Sequence, residues 1–156
     1  MLKISSSVEY GSRIMVHLAS KGDDSPSTAE SISASENIPR DYVDQLLMRL
    51  RRANLIVSKR GARGGYLLAR PVKEISVGNV MRAVDDAVFE SICEKYAEGT
   101  LACSHSSECG IRPVWKTLAV LVEKFLDQVS ILELQGKESF VEDRVSQLFA
   151  ETGPGK

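Results

Sequence analysis

The most reactive side chains in this sequence are three cysteines in one short stretch. Cys93, Cys103 and Cys109 lie within seventeen residues of a mostly polar segment, and His105 lies among them. An odd number of cysteines argues against a disulfide framework, whereas thiolates and imidazole are ligands for soft metal ions. The spacing predicts a metal site, and three interpretations stay open: an iron-sulfur cluster, a zinc ion bound by the three cysteines and His105, and unliganded thiols.

Charge is distributed unevenly along the chain. Residues 39–73 carry nine Lys and Arg against two Asp, a net charge of +7, whereas residues 74–156 carry eight Lys and Arg against fourteen Asp and Glu, a net charge of −6. The whole chain has a net charge of only −1. This asymmetry is typical of a segment that faces nucleic acid joined to an acidic segment with another task.

Hydrophobic periodicity predicts the elements that position the basic residues. A first helix is expected from Val8 to Leu18, with Ser6 as its cap and Glu9 completing a capping box. A second, short helix is expected to begin at Pro26. The third, Arg40 to Ala53, has apolar residues three and four positions apart, which leaves its polar and basic residues on the other sides.

The segment after this third helix predicts a β-hairpin. Two apolar runs, residues 55–59 and 66–69, flank the basic, glycine-rich sequence Arg60-Gly61-Ala62-Arg63-Gly64-Gly65. A helix-turn-helix followed by such a hairpin is the layout of a winged DNA-binding domain. From charge and placement we expect Arg40 and Arg49 on the helix, and Gly61 and Arg63 on the wing, to face DNA.

The C-terminal part of the chain predicts a dimerisation helix. After a helix from Val77 to Val88, periodicity is lost until Pro113 opens a long helix with apolar residues nearly seven apart. We expect this stripe to pack against a second copy through Trp115, Leu118, Leu121, Val122, Phe125 and Val129. The expected division is a winged helix-turn-helix domain (1–88), a cysteine-bearing sensor loop (89–111), a dimerisation helix (112–134) and a C-terminal tail (135–156), in a mainly α fold with a small β-hairpin.

Several segments together resemble a known family. They are Lys3-Ile4-Ser5, Tyr42 to Leu47 followed by Leu50 to Ala53, the wing from Arg60 to Pro71, and Val77 to Val84, with Trp115 before the long helix. On these motifs the chain resembles the IscR/NsrR family of winged-helix transcriptional regulators (the Rrf-two family) over residues 1–134. The resemblance implies that Tyr42, Asp44 and Gln45 face the DNA groove and that Arg60 contacts DNA from the wing.

The resemblance also bears on the cysteines. In relatives that carry an iron-sulfur cluster, three cysteines in this loop ligate it; here five residues separate Cys103 from Cys109, as is usual, but nine separate Cys93 from Cys103. The IscR type has a histidine ligand three residues after the last cysteine, where this chain has Arg112. Glu9 of the partner subunit aligns with an acidic ligand of nitric-oxide-sensing and redox-sensing relatives and is the favoured fourth ligand, with His105 as the alternative. A 2Fe-2S cluster is favoured over a 4Fe-4S cluster.

These patterns predict a homodimeric DNA-binding regulator, a repressor in type, that senses cluster status, redox state or nitric oxide. We expect it to be cytoplasmic and to have no membrane partner, because the sequence has no long apolar run and no signal-peptide layout at its start. No enzyme is expected, since no nucleophile and base or phosphate loop occurs at a meaningful spacing. The alternatives are a metal-free repressor that responds to a protein or metabolite, and a small iron-sulfur redox or interaction protein.

Overall fold

The computed structural model describes residues 4–22, 24–85 and 109–152. The helices and strands of these residues are α1 (Ser6–Lys21), α2 (Ala29–Glu36), α3 (Arg40–Arg52), β1 (Ile56–Lys59), β2 (Gly65–Leu68), α4 (Val77–Val84), α5 (Ile111–Asp127) and α6 (Glu138–Thr152). Short 3-10 turns occur at Val72–Glu74 and Glu133–Gln135. The predicted fold class, mainly α with a small hairpin, is confirmed. None of the helices in these ranges is long and apolar enough to span a membrane.

The core lies between α1, α2, α3 and α4. Side chains such as Ile14, Ile32, Leu47 and Val80 are fully buried there, and Ile131 joins them from beyond α5. These residues recur at helical spacing on one side of each helix, which is why the helices pack together. Burial of each large apolar side chain stabilises the fold by about 1.5–3 kcal/mol.

The helix-turn-helix is formed by α2 and α3. The Thr28 hydroxyl caps α2 by accepting a hydrogen bond from the Ser31 amide at 3.1 Å, and Asn37, with φ 52°, ends the helix in a left-handed conformation. The predicted start at Pro26 is wrong, because the neighbouring Ser27 pairs with the wing: the Ser27 and Tyr66 amides donate to each other's carbonyls at 3.1 and 2.8 Å. The chain is therefore extended before α2 begins.

The wing is a two-stranded antiparallel hairpin. Ile56 pairs with Leu68, and Lys59 with Gly65, so residues 60–64 form the tip. At this tip Gly61 has φ 116°, which L side chains rarely adopt. A Cβ atom at Gly64 would overlap the carbonyl oxygen of Lys59, so the tip needs glycine at both positions.

The end of α5 differs from its predicted position. The helix ends at Asp127 and does not continue to residue 134, because the following chain runs beside the start of α4. The Val77 amide donates to the Val129 carbonyl, and the Ile131 amide to the Ile75 carbonyl, both at 2.8 Å. These contacts carry Val129 and Ile131 into the interior of their own subunit.

The C-terminal segment is more regular than the sequence suggested. Residues expected to form a weakly helical tail instead form α6, fifteen residues long. The Arg144 Nε atom lies 2.8 Å from the Glu133 Oε1 atom, and Leu148 is buried. Helix α4 ends at Val84, because Asp85 is extended, so the predicted continuation of this helix to Val88 is wrong at Asp85; residues 86–88 lie outside the described ranges.

Candidate nucleic-acid interface and cysteine site

Helix α3 separates its apolar and polar residues onto different sides. Its buried face consists of Val43, Leu46, Leu47 and Leu50, each no more than 1% exposed. Arg40, Asp44 and Gln45 are exposed, and the Arg40 Nη2 atom lies 3.2 Å from the Asp44 Oδ1 atom. Because the buried face fixes the rotation of the helix, these three side chains project away from the core. Guanidinium, carboxylate and amide groups in this position suit hydrogen bonding to base edges and phosphates.

The wing presents a second polar surface. Arg60, Gly61 and Arg63 are all exposed at its tip. Arg60 and Arg63 make no side-chain hydrogen bond or ion pair within the described ranges, so both guanidinium groups are available to a polyanion. Glycine at the tip lets backbone approach a phosphate closely.

Tyr42 makes contacts that the sequence did not indicate. Its side chain is half-buried, its ring packs edge-on against Tyr10 with centroids 5.7 Å apart, and its hydroxyl bonds Ser7 at 2.7 Å and Ser6 at 3.3 Å. The hydrogen bonds from Ser6 and Ser7 lower the pKa of Tyr42 against the opposing effect of burial, and the nearby Arg49 charge lowers it further. The expected groove-facing role of Tyr42 therefore competes with a role in joining α3 to α1.

Arg49, for which the sequence predicted a DNA contact, is exposed and also bonds to its own fold. Its Nη1 atom donates to the backbone carbonyl of Val84 at 2.5 Å, at the last residue of α4. Near the same point, the Ser5 hydroxyl donates to the Asp85 Oδ2 atom at 2.5 Å. Sequence reasoning missed Ser5, Ser7, Val84 and Asp85, because contacts across 35 to 80 residues leave no local pattern.

Cys109 lies two residues before the start of α5 and is partly exposed. Backbone N–H groups of Arg112 and Ile111, at the start of this helix, lower the pKa of its thiol. The thiolate is the form that binds metal, so Cys109 suits a metal ligand. Cys93, Cys103 and His105 lie outside the described residues, and within the described ranges no group of three or more His, Cys, Asp and Glu could hold a metal ion.

Glu9 is not part of the helix cap. The cap of α1 is Ser5, whose hydroxyl accepts a hydrogen bond from the Val8 amide, and the expected capping box of Ser6 with Glu9 is wrong. Glu9 is exposed, and its carboxylate has no hydrogen bond or ion pair with any described residue. The Glu9 carboxylate is therefore available to bind a metal ion or a partner subunit.

One side of α5 is an exposed apolar face. Val114, Trp115 and Leu121 are 58%, 50% and 44% exposed, and Leu118 is exposed beside them. Val122 and Phe125 are half-buried. Val129, expected on the same stripe, is only 4% exposed and belongs to the interior of its own subunit, since the helix ends before it. The candidate dimer surface therefore lies on the helix between residues 114 and 125.

Comparison with known proteins gives consistent matches over most of the chain. The Rrf2 family model, described as iron-dependent transcriptional regulator, matches residues 4–137. The HTH-type transcriptional regulator IscR of Yersinia pestis is 30% identical over 141 residues, which cover 90% of this chain and 84% of that protein. IscR of Sodalis glossinidius is 31% identical, with 90% and 83% covered.

Two solved structures share the fold. CymR, the global cysteine regulator of B. subtilis, superposes with a TM-score of 0.68 and 30% identity, covering 86% of this chain and 97% of that one. IscR of T. potens superposes with a TM-score of 0.68 and 29% identity, covering 85% of each chain.

Proposed function

Because this chain belongs to the Rrf2 family of transcriptional regulators, we propose that it acts as a homodimer whose α3 helices and wings bind a two-half-site operator. The observation that carries this proposal is the arrangement of α3. Its apolar face is fully buried, whereas Arg40, Asp44 and Gln45 are exposed. A recognition helix needs this arrangement to lie in the major groove.

Each exposed group has a distinct role in this proposal. Asp44 and Gln45 contact base edges, with the Asp44 carboxylate accepting a hydrogen bond from a cytosine amino group. Arg40 pairs with Asp44 and orients it. Arg60 and Arg63 bind phosphates or enter the minor groove from the wing, which supplies affinity with little selectivity. The proposed regulator has no catalytic step and works in the cytoplasm, where its DNA is.

The exposed face of α5 supports the proposed dimer. A tryptophan that is half exposed, together with Val114, Leu118 and Leu121, makes a contiguous apolar face that water would cover in a monomer. Packing against the same face of a second copy removes that surface from water and follows two-fold symmetry. This symmetry would place two recognition helices about one turn of DNA apart.

For sensing, we propose that Cys93, Cys103 and Cys109 hold an iron-sulfur cluster, in its 2Fe-2S form, with Glu9 of the partner subunit as the fourth ligand. Two features of the described residues fit this group: the lowered pKa of the Cys109 thiol, and the exposed Glu9 carboxylate without a partner in the described ranges. When bound, such a cluster would have one iron with a weaker oxygen ligand, and a signal could displace that ligand. His105 remains the alternative ligand.

A second candidate function is a metal-free repressor of the same architecture. The similarity to CymR, which is named as a cysteine regulator, favours it, since that protein matches as well as IscR does. A protein or metabolite partner would then replace the cluster as the signal.

Anaerobic purification separates the two candidates. Wild-type protein should contain iron and acid-labile sulfide and show visible absorption that disappears with oxygen. DNA selected by this protein from a random duplex pool should bind with different affinity before and after cluster loss. Specific binding without any iron or sulfide would favour the metal-free repressor, and absence of sequence-specific binding in both states would overturn the proposed regulator.

A further inference from the structure

The C-terminal end of α4 is where three elements meet. Val84 is the last residue of the helix, and Asp85 follows it in an extended conformation. The covalent chain continues from Asp85 towards Cys93 and Cys103 and re-enters the described ranges at Cys109. This end of α4 is therefore one of the two points at which the cysteine-bearing segment joins the described fold.

One of these contacts comes from α3. The last carbonyls of an α-helix have no partner within the helix, and they lie at the negative end of its dipole. Arg49 supplies the missing donor to the Val84 carbonyl at 2.5 Å, and its positive charge complements the dipole. Arg49 thus caps α4 from the helix that carries the candidate base-contacting residues.

The other contacts come from α1. The Ser5 hydroxyl donates to Asp85 at 2.5 Å, and Gly11 packs so closely on α4 that a Cβ atom there would lie 3.1 Å from the Val84 Cγ1 atom. The hydroxyls of Tyr42 and Ser7, 2.7 Å apart, join α3 to α1. These contacts close a ring of three elements: α4 to α3, α3 to α1, and α1 back to the end of α4.

We propose that Arg49 is a positioning residue that couples the end of α4 to the recognition helix, so that a change in the segment beyond Asp85 shifts α3. This inference rests on the proposed regulatory function. Arg49 and Tyr42 lie seven residues apart on one face of α3, and both are engaged within the protein. Packed elements joined at fixed points move together, because a dense interior does not deform continuously.

If Arg49 instead contacted a phosphate, its removal would change the salt dependence of DNA binding. Removal of a phosphate contact should flatten the dependence of log Kd on log salt by about one unit. Removal of a positioning contact should leave this slope unchanged and alter the response of DNA binding to the state of the cysteine segment.

The test compares Arg49→Met with Arg52→Met in the full chain, using DNA selected by the wild-type protein. Met at position 49 keeps the apolar stem of the side chain but cannot donate a hydrogen bond to the Val84 carbonyl. Arg52 is exposed on the same helix, and no hydrogen bond or ion pair of its side chain occurs within the described residues, so its variant removes the same charge without touching α4. Arg49→Lys, whose ammonium group can still donate to a carbonyl, is the rescue variant.

The first readout is hydrogen exchange of the amides at residues 82–85, with and without DNA, which needs no cluster. DNA should slow this exchange in wild type, Arg52→Met and Arg49→Lys, and should have no effect in Arg49→Met. The second readout is the ratio of DNA affinities between cluster-loaded and cluster-free protein. Coupling between two sites typically changes affinity about 5- to 150-fold, and this ratio should fall towards one in Arg49→Met.

Each outcome has a definite meaning. A flatter salt slope in Arg49→Met, with the effect of DNA on exchange retained, would overturn the positioning role in favour of a phosphate contact. An unchanged affinity ratio in a folded Arg49→Met protein would overturn the coupling. If wild type shows no cluster-dependent binding but DNA still protects residues 82–85 through Arg49, the proposed sensor fails and the coupling stands.

Discussion

Asp127, the last residue of α5, packs against Gly78 in the first turn of α4 so closely that a Cβ atom at Gly78 would overlap its carboxylate. The Asp127 carboxylate accepts hydrogen bonds from the Ser76 hydroxyl at 3.3 Å and from the Arg82 Nη2 atom at 2.5 Å. This junction fixes where α5 ends and how the candidate dimer helix meets the winged domain.

Gly78→Ala should therefore destabilise the protein. The added methyl group must displace the Asp127 carboxylate from Ser76 and Arg82, and we expect this loss to exceed the roughly 0.5–1 kcal/mol that alanine gains over glycine within a helix. Thermal unfolding of the cluster-free protein should show a lower Tm. Gly110→Ala is the matched control, because a Cβ atom at Gly110 meets no atom within 4 Å and its φ of −64° suits alanine. Equal Tm values for the two variants would contradict the predicted overlap.

Arg60→Ala should weaken binding to all DNA sequences alike. The exposed Arg60 guanidinium is proposed to neutralise a phosphate, so its loss should reduce the slope of log Kd against log salt by about one unit. Fluorescence anisotropy over a salt series measures this slope. Lys137→Ala removes one positive charge far along the chain from the wing and should leave the slope unchanged. An identical effect in both variants would point to net charge alone.

Asp44→Asn should change which sequences are bound more than how tightly they are bound. The substitution replaces an acceptor-only group by one that also donates, which should alter discrimination at one base pair by about 1–3 kcal/mol. Selection from a random duplex pool gives the preference at each position. Asp41→Asn is the control, since Asp41 is an exposed acid in the first turn of the same helix. A preference that stays the same for Asp44→Asn would exclude this residue from base contacts.

Leu121→Glu should separate the two subunits. Leu121 is 44% exposed in the single chain, so a charged side chain there leaves the monomer core intact but is buried in the proposed dimer. Light scattering should give twice the 17.1 kDa chain mass for wild type and the chain mass for the variant. Phe149→Glu introduces the same charge at a side chain that is 72% exposed on α6 and should remain dimeric. A monomeric wild type would remove the proposed dimer altogether.

Glu9→Ala should lower iron retention without lowering fold stability. Glu9 does not cap α1, so no hydrogen bond of the described fold is lost with its carboxylate. Loss of the hydrogen-bond partner of a metal ligand typically lowers metal affinity by about tenfold or more. Loss of the ligand itself should lower the affinity by at least the same factor. Iron and sulfide content after gel filtration without oxygen measures the effect, with exposed Glu30→Ala as the control. Full iron content in Glu9→Ala would move the fourth ligand to His105 or another group.

Local sequence signals predicted the helix-turn-helix and the wing well. The three- and four-residue spacing of Val43, Leu46 and Leu50 on α3, and the glycine-rich turn of the wing, are set by interactions within a few residues of each other. The predicted elements are present for the same reason. The exposure of Arg40, Asp44 and Gln45 followed from the opposite burial of the apolar face.

Long-range contacts caused the differences between the predicted and the observed structure. Val129 continues the seven-residue spacing of the α5 stripe, so periodicity alone could not reveal that backbone pairing with α4 ends the helix at Asp127. Arg49 is basic and exposed on α3, and only the position of the Val84 carbonyl shows its contact with α4. The start of α2 was misplaced because Ser27 pairs with a residue 39 positions later.

The pairing of Ser27 with Tyr66 also bears on how this protein unfolds. An isolated two-stranded hairpin is barely stable in water, and each strand of this wing has only four residues. Two backbone hydrogen bonds fasten the second strand to the chain that enters α2, which adds a third extended segment near the tip of the hairpin, where Tyr66 pairs with Ser58. Detachment of the wing consequently requires the loss of both hydrogen bonds to the entry of α2. We therefore expect the wing and the helix-turn-helix to open together as one cooperative unit.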